Sequence, residues 1–428
     1  MLSDGPWPSI EVGTSGNLSE HDSLLLLGLG NSGLLNKLGD EPPLQVRLGT
    51  KLFNSNPKSD VMHTTISAIA GGDSGGPLFD LGGCLVGTLV GGSDLAANSR
   101  FTTVDILRRD WKSLAGDLPS PPLPAEPRPV VMTAAAEMDR AIRGVRDSVV
   151  EVRSDEHWVG VGVIIGRGLI LTKASELGPK LRVMLRNQVP ALARLVATDP
   201  DRDMALLRIS ADLTDGIQPV EWKDDKEQAL GTLVSCVTPA DFTPLIGVIS
   251  VKYQKIEPMM GGLAVRLKDA AGGVEVEESI DELNQWLRPV PHMLRVGDII
   301  TEINGRSLPN KNAYYDWKIG PPPAFICGDT VPIKFRRAGI SQEISYRMRP
   351  GYTVSDQLMT FYSYRYTGFP RAFACDFAAR PELCGSPVID TNGHAIGLLI
   401  AKAPFVESFV IPASEVSKSL DKMKASAK

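Results

Sequence analysis

The segment GDSGGPLFDLGGCLVGTLV, Gly72 to Val90, has a second version in ELCGSPVIDTNGHAIGLLI, Glu382 to Ile400, and the two align without a gap. Gly75 falls on Gly385, Pro77 on Pro387, Asp80 on Asp390, Gly83 on Gly393 and Gly87 on Gly397, and the apolar positions between them coincide. Each copy runs on into a Phe-containing strand (Phe101, Phe409) and a terminal helix. The chain therefore carries the C-terminal half of one kind of domain twice.

The rest of the sequence fits that reading. Its 428 residues are too many for one ordinary domain. A hydrophobic content of 43% with 41 glycines and 32 prolines describes a loop-rich, mainly β protein. The 45 basic and 50 acidic residues nearly balance, and no dense Lys/Arg run is present, which argues against nucleic acid as a partner. The apolar run Ser23 to Gly30 is too short to span a bilayer and no basic segment precedes it, so neither a membrane segment nor an export signal is expected. The five cysteines, Cys84, Cys236, Cys327, Cys375 and Cys384, show no CxxC spacing. No metal cage, redox motif or cofactor is expected from them, and whether Cys375 and Cys384 pair stays open.

Proline density from Leu118 to Val130 marks an extended linker (residues 118–131). Before it, residues 1–117 read as a small β-domain closed by a helix over Thr103 to Leu114. After it, the pattern predicts a short helix at Met138 to Val145. Strands follow at Val149 to Arg153, Gly160 to Ile165, Gly168 to Thr172, Arg182 to Leu185, Ala191 to Thr198 and Ala205 to Ile209, spaced as in a barrel or sandwich.

In Gly72-Asp73-Ser74-Gly75-Gly76-Pro77 the glycines permit a tight turn that exposes a serine hydroxyl and aims backbone N–H groups at a developing oxyanion. Residues 20–115 resemble the second β-barrel of a trypsin-like serine protease of the HtrA/Deg type. The resemblance makes Ser74 the nucleophile, gives the oxyanion hole to the N–H groups of Gly72 and Ser74, and sets Ala68 near the base of an apolar specificity pocket. A serine needs a histidine to take its proton and a carboxylate to orient that histidine. In the family both come from a preceding barrel, for which the 73 residues before Ser74 leave too little chain. His21, beside Asp22, and His63 read as surface or strand histidines. The first unit is thus expected to be half a protease, whose partners come from upstream of Met1 or from another chain.

The second unit, residues 132–256 and 352–428, resembles the same family in degenerate form. GVGVIIGRGLILTKASEL, Gly160 to Leu177, is similar to the stretch that carries the catalytic histidine, but Ser175 stands in its place. Asp203 in DMALL matches the catalytic aspartate. Cys384 takes the nucleophile position and Glu382 that of an oxyanion-hole glycine. With no histidine beside it, Cys384 reads as an inert core residue rather than a reactive thiol. Between the halves, RVGDIITEING (Arg295 to Gly305) resembles the strand-turn-strand of PDZ domains, which makes residues 257–351 a PDZ-like α+β module. Gly261, Gly262, Leu263, Ala264 and Val265 stand where a peptide-carboxylate loop would be. In typical HtrA proteins the PDZ follows the protease instead of interrupting it.

The expected fold class is therefore mainly β: a trypsin-like double-barrel architecture present as one half unit and one full degenerate unit, with the PDZ-like domain inserted. Two functions follow from the resemblance. One is a serine endopeptidase acting on polypeptides through Ser74. The other is a non-catalytic pseudo-protease and PDZ scaffold that holds polypeptides or C-terminal peptides. Homo-oligomerisation is left open, and an extracytoplasmic location rests on the resemblance alone.

Overall fold

The computed structural model describes residues 10–29, 44–54, 60–66, 69, 72–92, 99–117, 133–186, 189–223, 227–240, 242–283, 293–319, 325–350, 362–377, 379–403 and 408–426. The linker at 118–131 and Ala68 lie outside them. The first unit is a closed barrel of β1 (Ser23–Gly28), β2 (Gln45–Asn54), β3 (Val61–Thr64), β4 (Pro77–Asp80), β5 (Leu85–Gly91) and β6 (Ser99–Thr103), in the order β1-β2-β3-β6-β5-β4. It closes through β1 and β4, where Leu24 faces Asp80 and Leu26 faces Leu78. Strand β1 shows why: with a period of two, Leu24 and Leu26 point inward and are fully buried with Met62, Leu78, Val86 and Phe101. The single helix expected over Thr103 to Leu114 is two short ones, α1 (Asp105–Arg109) and α2 (Trp111–Ala115), broken at Asp110.

After α3 (Thr133–Val145), a seven-stranded sheet contains β7 (Val149–Ser154), β8 (His157–Gly166), β9 (Leu169–Lys173), β10 (Leu181–Met184), β11 (Pro190–Leu192), β12 (Arg194–Asp199) and β13 (Met204–Arg208). The strand expected over Ala191 to Thr198 is split between β11 and β12. Both faces of the sheet are covered. Val150, Ile164, Ile170 and Leu207 form one core, while Val161, Val163, Leu171 and Leu206 join the core of the next barrel. A strand such as β13, with apolar residues at consecutive positions, suits burial on two sides.

That next barrel begins with β14 (Leu233–Cys236) and β15 (Leu245–Ile256). The chain then leaves it for a separate module of β16 (Gly261–Gly262), β17 (Val265–Ala270), β18 (Gly273–Ser279), α4 (Ile280–Leu283), β19 (Ile299–Ile303), β20 (Arg306–Ser307), α5 (Lys311–Ile319), β21 (Thr330–Arg337), β22 (Ile340–Arg347) and β23 (Arg349–Pro350). Its main sheet runs β17-β18-β19-β21-β22 and has a core of its own around Val276, Ile300, Ile333, Phe335 and Tyr346. The chain re-enters the barrel with β24 (Phe369–Cys375), β25 (Pro387–Ile389), β26 (Ala395–Lys402) and β27 (Ser408–Pro412), and ends in α6 (Ala413–Ser426).

The barrel order β14-β15-β24-β27-β26-β25 is that of the first barrel, strand for strand. The duplication read from one segment extends to the whole barrel, down to individual hydrogen bonds. Gly75 N–H donates to Leu89 O at 2.8 Å and Gly385 N–H to Leu399 O at 2.7 Å. Leu89 N–H donates to Gly76 O and Leu399 N–H to Ser386 O, both at 2.9 Å. Asp80 Oδ1 accepts from Cys84 N–H at 2.9 Å, as Asp390 Oδ1 does from His394 N–H at 3.0 Å. The mainly β architecture expected from the sequence is the one observed.

Gly75 and Gly385 share positive φ angles of 85° and 98° but differ in surroundings. A Cβ on Gly385 would lie 1.8 Å from Val161 O, whereas one on Gly75 would meet nothing within 4 Å. Gly75→Ala should therefore cost only the left-handed backbone penalty, about 1 kcal/mol. Gly385→Ala should cost about 3 kcal/mol, because a backbone clash is added. Thermal unfolding of the two variants checks this, and equal losses would contradict it.

Candidate active sites

The loop holding Ser74 is fixed from below. Asp73 is fully buried, and its Oδ2 lies 3.1 Å from Arg47 Nη2, on β2. A Cβ on Gly28 would come within 2.2 Å of Asp73 Oδ1, so the end of β1 must be glycine to admit the carboxylate. Asp73 O accepts from Gly76 N–H at 2.8 Å and closes the turn, while Gly72, with φ 100°, supplies its left-handed bend. The result is an exposed Ser74 on a rigid elbow. Its hydroxyl has no hydrogen-bond partner among the described residues. His63, on β3, stacks on Phe53 with ring centroids 4.5 Å apart. His21 is exposed, and its N–H donates to Lys51 O at 2.8 Å. Neither histidine is hydrogen-bonded to Ser74.

In the second unit the corresponding residues do converge, but on a closed site. Asp203, with φ 58°, terminates the turn before β13 and turns its carboxylate back toward β9. Oδ1 accepts from Ser175 N–H, and Oδ2 accepts from the Ser175 hydroxyl, both at 2.8 Å. Lys173 Nζ, fully buried, reaches Oδ2 at 2.5 Å and also donates to Arg365 O at 2.9 Å. Ser175 thus occupies both carboxylate oxygens of Asp203. Lysine and hydroxyl together neutralise and satisfy the buried carboxylate.

Cys384 is completely buried. Burial pushes its thiol up to about 11, against the pull of Lys173 and Ser363, so the thiolate is scarce at neutral pH. Val161 N–H donates to Cys384 O at 2.9 Å and seats β8 on the loop. The outer side is filled by the chain itself. Ser363 N–H donates to Lys402 O, and Ser363 Oγ accepts from Lys402 N–H, both at 2.9 Å. The same hydroxyl lies 3.4 Å from Cys384 Sγ. Tyr364 N–H donates to the buried Glu176 at 2.9 Å, and Arg349 stacks over the Tyr364 ring at 3.9 Å. Ser363 is thus bonded to the end of β26 and lies against Cys384, with Tyr364 held beside it. Cys375 and Cys384 are both free thiols, which closes the disulfide question.

In the inserted module, Gly261, Gly262, Leu263, Ala264 and Val265 lead into the edge strand β17, with α5 packed alongside. Loop N–H groups already have acceptors: Gly261 N–H donates to Phe325 O at 2.8 Å, Leu263 N–H to the Tyr314 hydroxyl at 2.7 Å and Ala264 N–H to the Tyr346 hydroxyl at 2.9 Å. Sequence reasoning missed the cation here. Lys318, in the last turn of α5, sits with Nζ 3.2 Å and Tyr314 Oη 3.1 Å from the point a Gly262 Cβ would occupy. It is half-buried, burial lowers its pKa, and no carboxylate pairs with it among the described residues. The signal was available: Tyr314 and Lys318 share a face one helical turn apart. Lys173 was also missed, since on a strand its alternation reads only as a break in an apolar pattern.

No group of metal-ligating side chains occurs among the described residues, and no described helix is long and apolar enough to cross a membrane. No protein-family model matches the chain, and no match among curated proteins was found. Among solved structures, the inactive form of the Rv3671c protease overlays at 16% identity and TM-score 0.33, covering 72% of this chain and 99% of that one. Deg5 overlays at 17% identity and TM-score 0.34, covering 68% and 94%. The active form of Rv3671c from M. tuberculosis gives 14%, 0.33, 72% and 93%. Overlays this loose leave the assignment of the fold to the strand order within the chain.

Removing the lysine from beside Asp203 should be costly. Lys173→Met strands a buried carboxylate and is expected to destabilise the second unit by about 3–5 kcal/mol. Lys173→Met with Asp203→Leu should recover most of that loss. Urea unfolding of the single and double variants measures it, and a neutral single variant would mean that water reaches Asp203.

Proposed function

We propose that this chain is a polypeptide-binding scaffold of trypsin-like protease build, in which the second unit is a pseudo-protease. The observation that carries the proposal is the state of the degenerate site: Asp203 is consumed by Lys173 and Ser175, and Cys384 is buried beneath residues 362–366. Ligand capture falls to the PDZ-like module. There an extended peptide would add to the open edge of β17, and its terminal carboxylate would meet the Lys318 ammonium and the Tyr314 hydroxyl proton. The lowered Lys318 pKa supports this, since an anion would restore what burial removes.

A serine endopeptidase is the second reading, favoured by the exposed Ser74 and the buried Asp73–Arg47 pair that holds its loop. On this reading the base must be brought to Ser74 by another polypeptide segment.

Two experiments separate the readings. A fluorophosphonate probe reacts with an activated serine. No labelling of the folded chain is expected, whereas labelling at Ser74 that Ser74→Ala abolishes would establish the endopeptidase. For binding, peptides from a C-terminal library are compared as free acids and amides. The acid should bind at least about tenfold more tightly, and Lys318→Met should erase the difference. Equal binding of acid and amide by the native chain would remove the carboxylate site from the proposal.

A further inference from the structure

The two barrels differ at one position in a way that their shared topology makes interpretable. After β3 the first barrel has Thr65 and Ile66, and after β24 the other has Asp376 and Phe377. The equivalence is set by hydrogen bonds: Ser99 Oγ donates to Ile66 O at 2.6 Å and Ser408 Oγ to Phe377 O at 2.9 Å. At the preceding residue, Thr50 N–H donates to Thr65 Oγ1 at 2.8 Å, as Val248 N–H does to Asp376 Oδ1 at 2.7 Å. Both side chains thus do the same job within their own barrel, holding the backbone of the second strand. Asp376 has a second oxygen. It accepts from Leu48 N–H on β2 of the first barrel.

We infer that Asp376 is an inter-unit latch: one carboxylate oxygen keeps the role that Thr65 plays in the first barrel, and the other binds the first barrel's Leu48 amide to the second unit. The side chain can do this because Gly247, on β15, leaves room for it; a Cβ there would lie 2.2 Å from Oδ1. The groups facing it are the Leu48, Val248 and Asp376 N–H groups, the Arg47 guanidinium and the Cys375 thiol, with Asp73 behind Arg47. Burial pushes its carboxyl up to about 7 against the pull of the N–H groups and Arg47. A carboxyl raised in the docked state takes up a proton on docking, so its contribution is complete below its ordinary value and lost as pH rises toward 7. The latch does not depend on whether Ser74 is catalytic.

Asp376→Thr copies the first barrel and keeps one bond while deleting the other. Hydrogen exchange read at single amides should show Leu48 exchanging at least about tenfold faster in the full-length variant, with Val248 still protected. In the native chain, Leu48 protection, corrected for intrinsic rate, should fall between pH 5 and pH 8 on the order of tenfold, and the variant should lose this slope. Asp376→Ser serves if the threonine methyl cannot be housed. Unchanged Leu48 protection would overturn the proposal. So would loss of both amides together, which would make Asp376 a fold element of its own barrel only.

Discussion

Everything at both sites depends on one constraint, the clamping of a left-handed glycine to the neighbouring strand: Gly75 to Leu89 in one barrel and Gly385 to Leu399 in the other. This bond fixes where the residue before the glycine points, because a positive φ leaves the turn few alternatives. The residue so presented is Ser74 in one copy and Cys384 in the other. The elbow is thus a property of the barrel, and it survives exchange of the side chain it carries. What differs is the covering: open solvent over Ser74, strand β8 and residues 362–366 over Cys384.

A buried carboxylate persists only if something satisfies it. Asp203 shows how. An unpaired carboxylate there would cost several kcal/mol, and Lys173 with the Ser175 hydroxyl and amide removes that penalty. Once the lysine also holds Arg365 O, the segment leaving the inserted module is tied to the same carboxylate. The Asp203 carboxylate is thereby a fastening between that segment and β9.

This distribution explains what the sequence disclosed. The duplication was legible because glycines, Pro77/Pro387 and Asp80/Asp390 are set by backbone geometry, which does not tolerate substitution. Strands with a period of two, such as β1, were legible for the same local reason. Illegible were contacts between segments far apart in the chain: Ser363 against Cys384, Lys318 above Gly262, Asp376 on Leu48. A lysine in LTKAS or an aspartate after β24 carries no local sign of its partner. The break between α1 and α2 at Asp110 was missed because apolar spacing persists across it.

Between the two barrels, Leu48 N–H on β2 donates to Asp376. Strands β2 and β15 hold equivalent places in their barrels, so apolar association through them would be open to any copy of either barrel. An acidic side chain that must find a backbone N–H, with Arg47 nearby, makes the contact conditional on register: a shift of one residue on β2 presents a carbonyl to the carboxylate instead of an amide. Thr65 at the equivalent position in the first barrel has no second oxygen to reach outward. Asp376 therefore adds to the bond it shares with Thr65 a second one across to the first barrel, and burial makes its carboxyl hold a proton more tightly than an exposed one would.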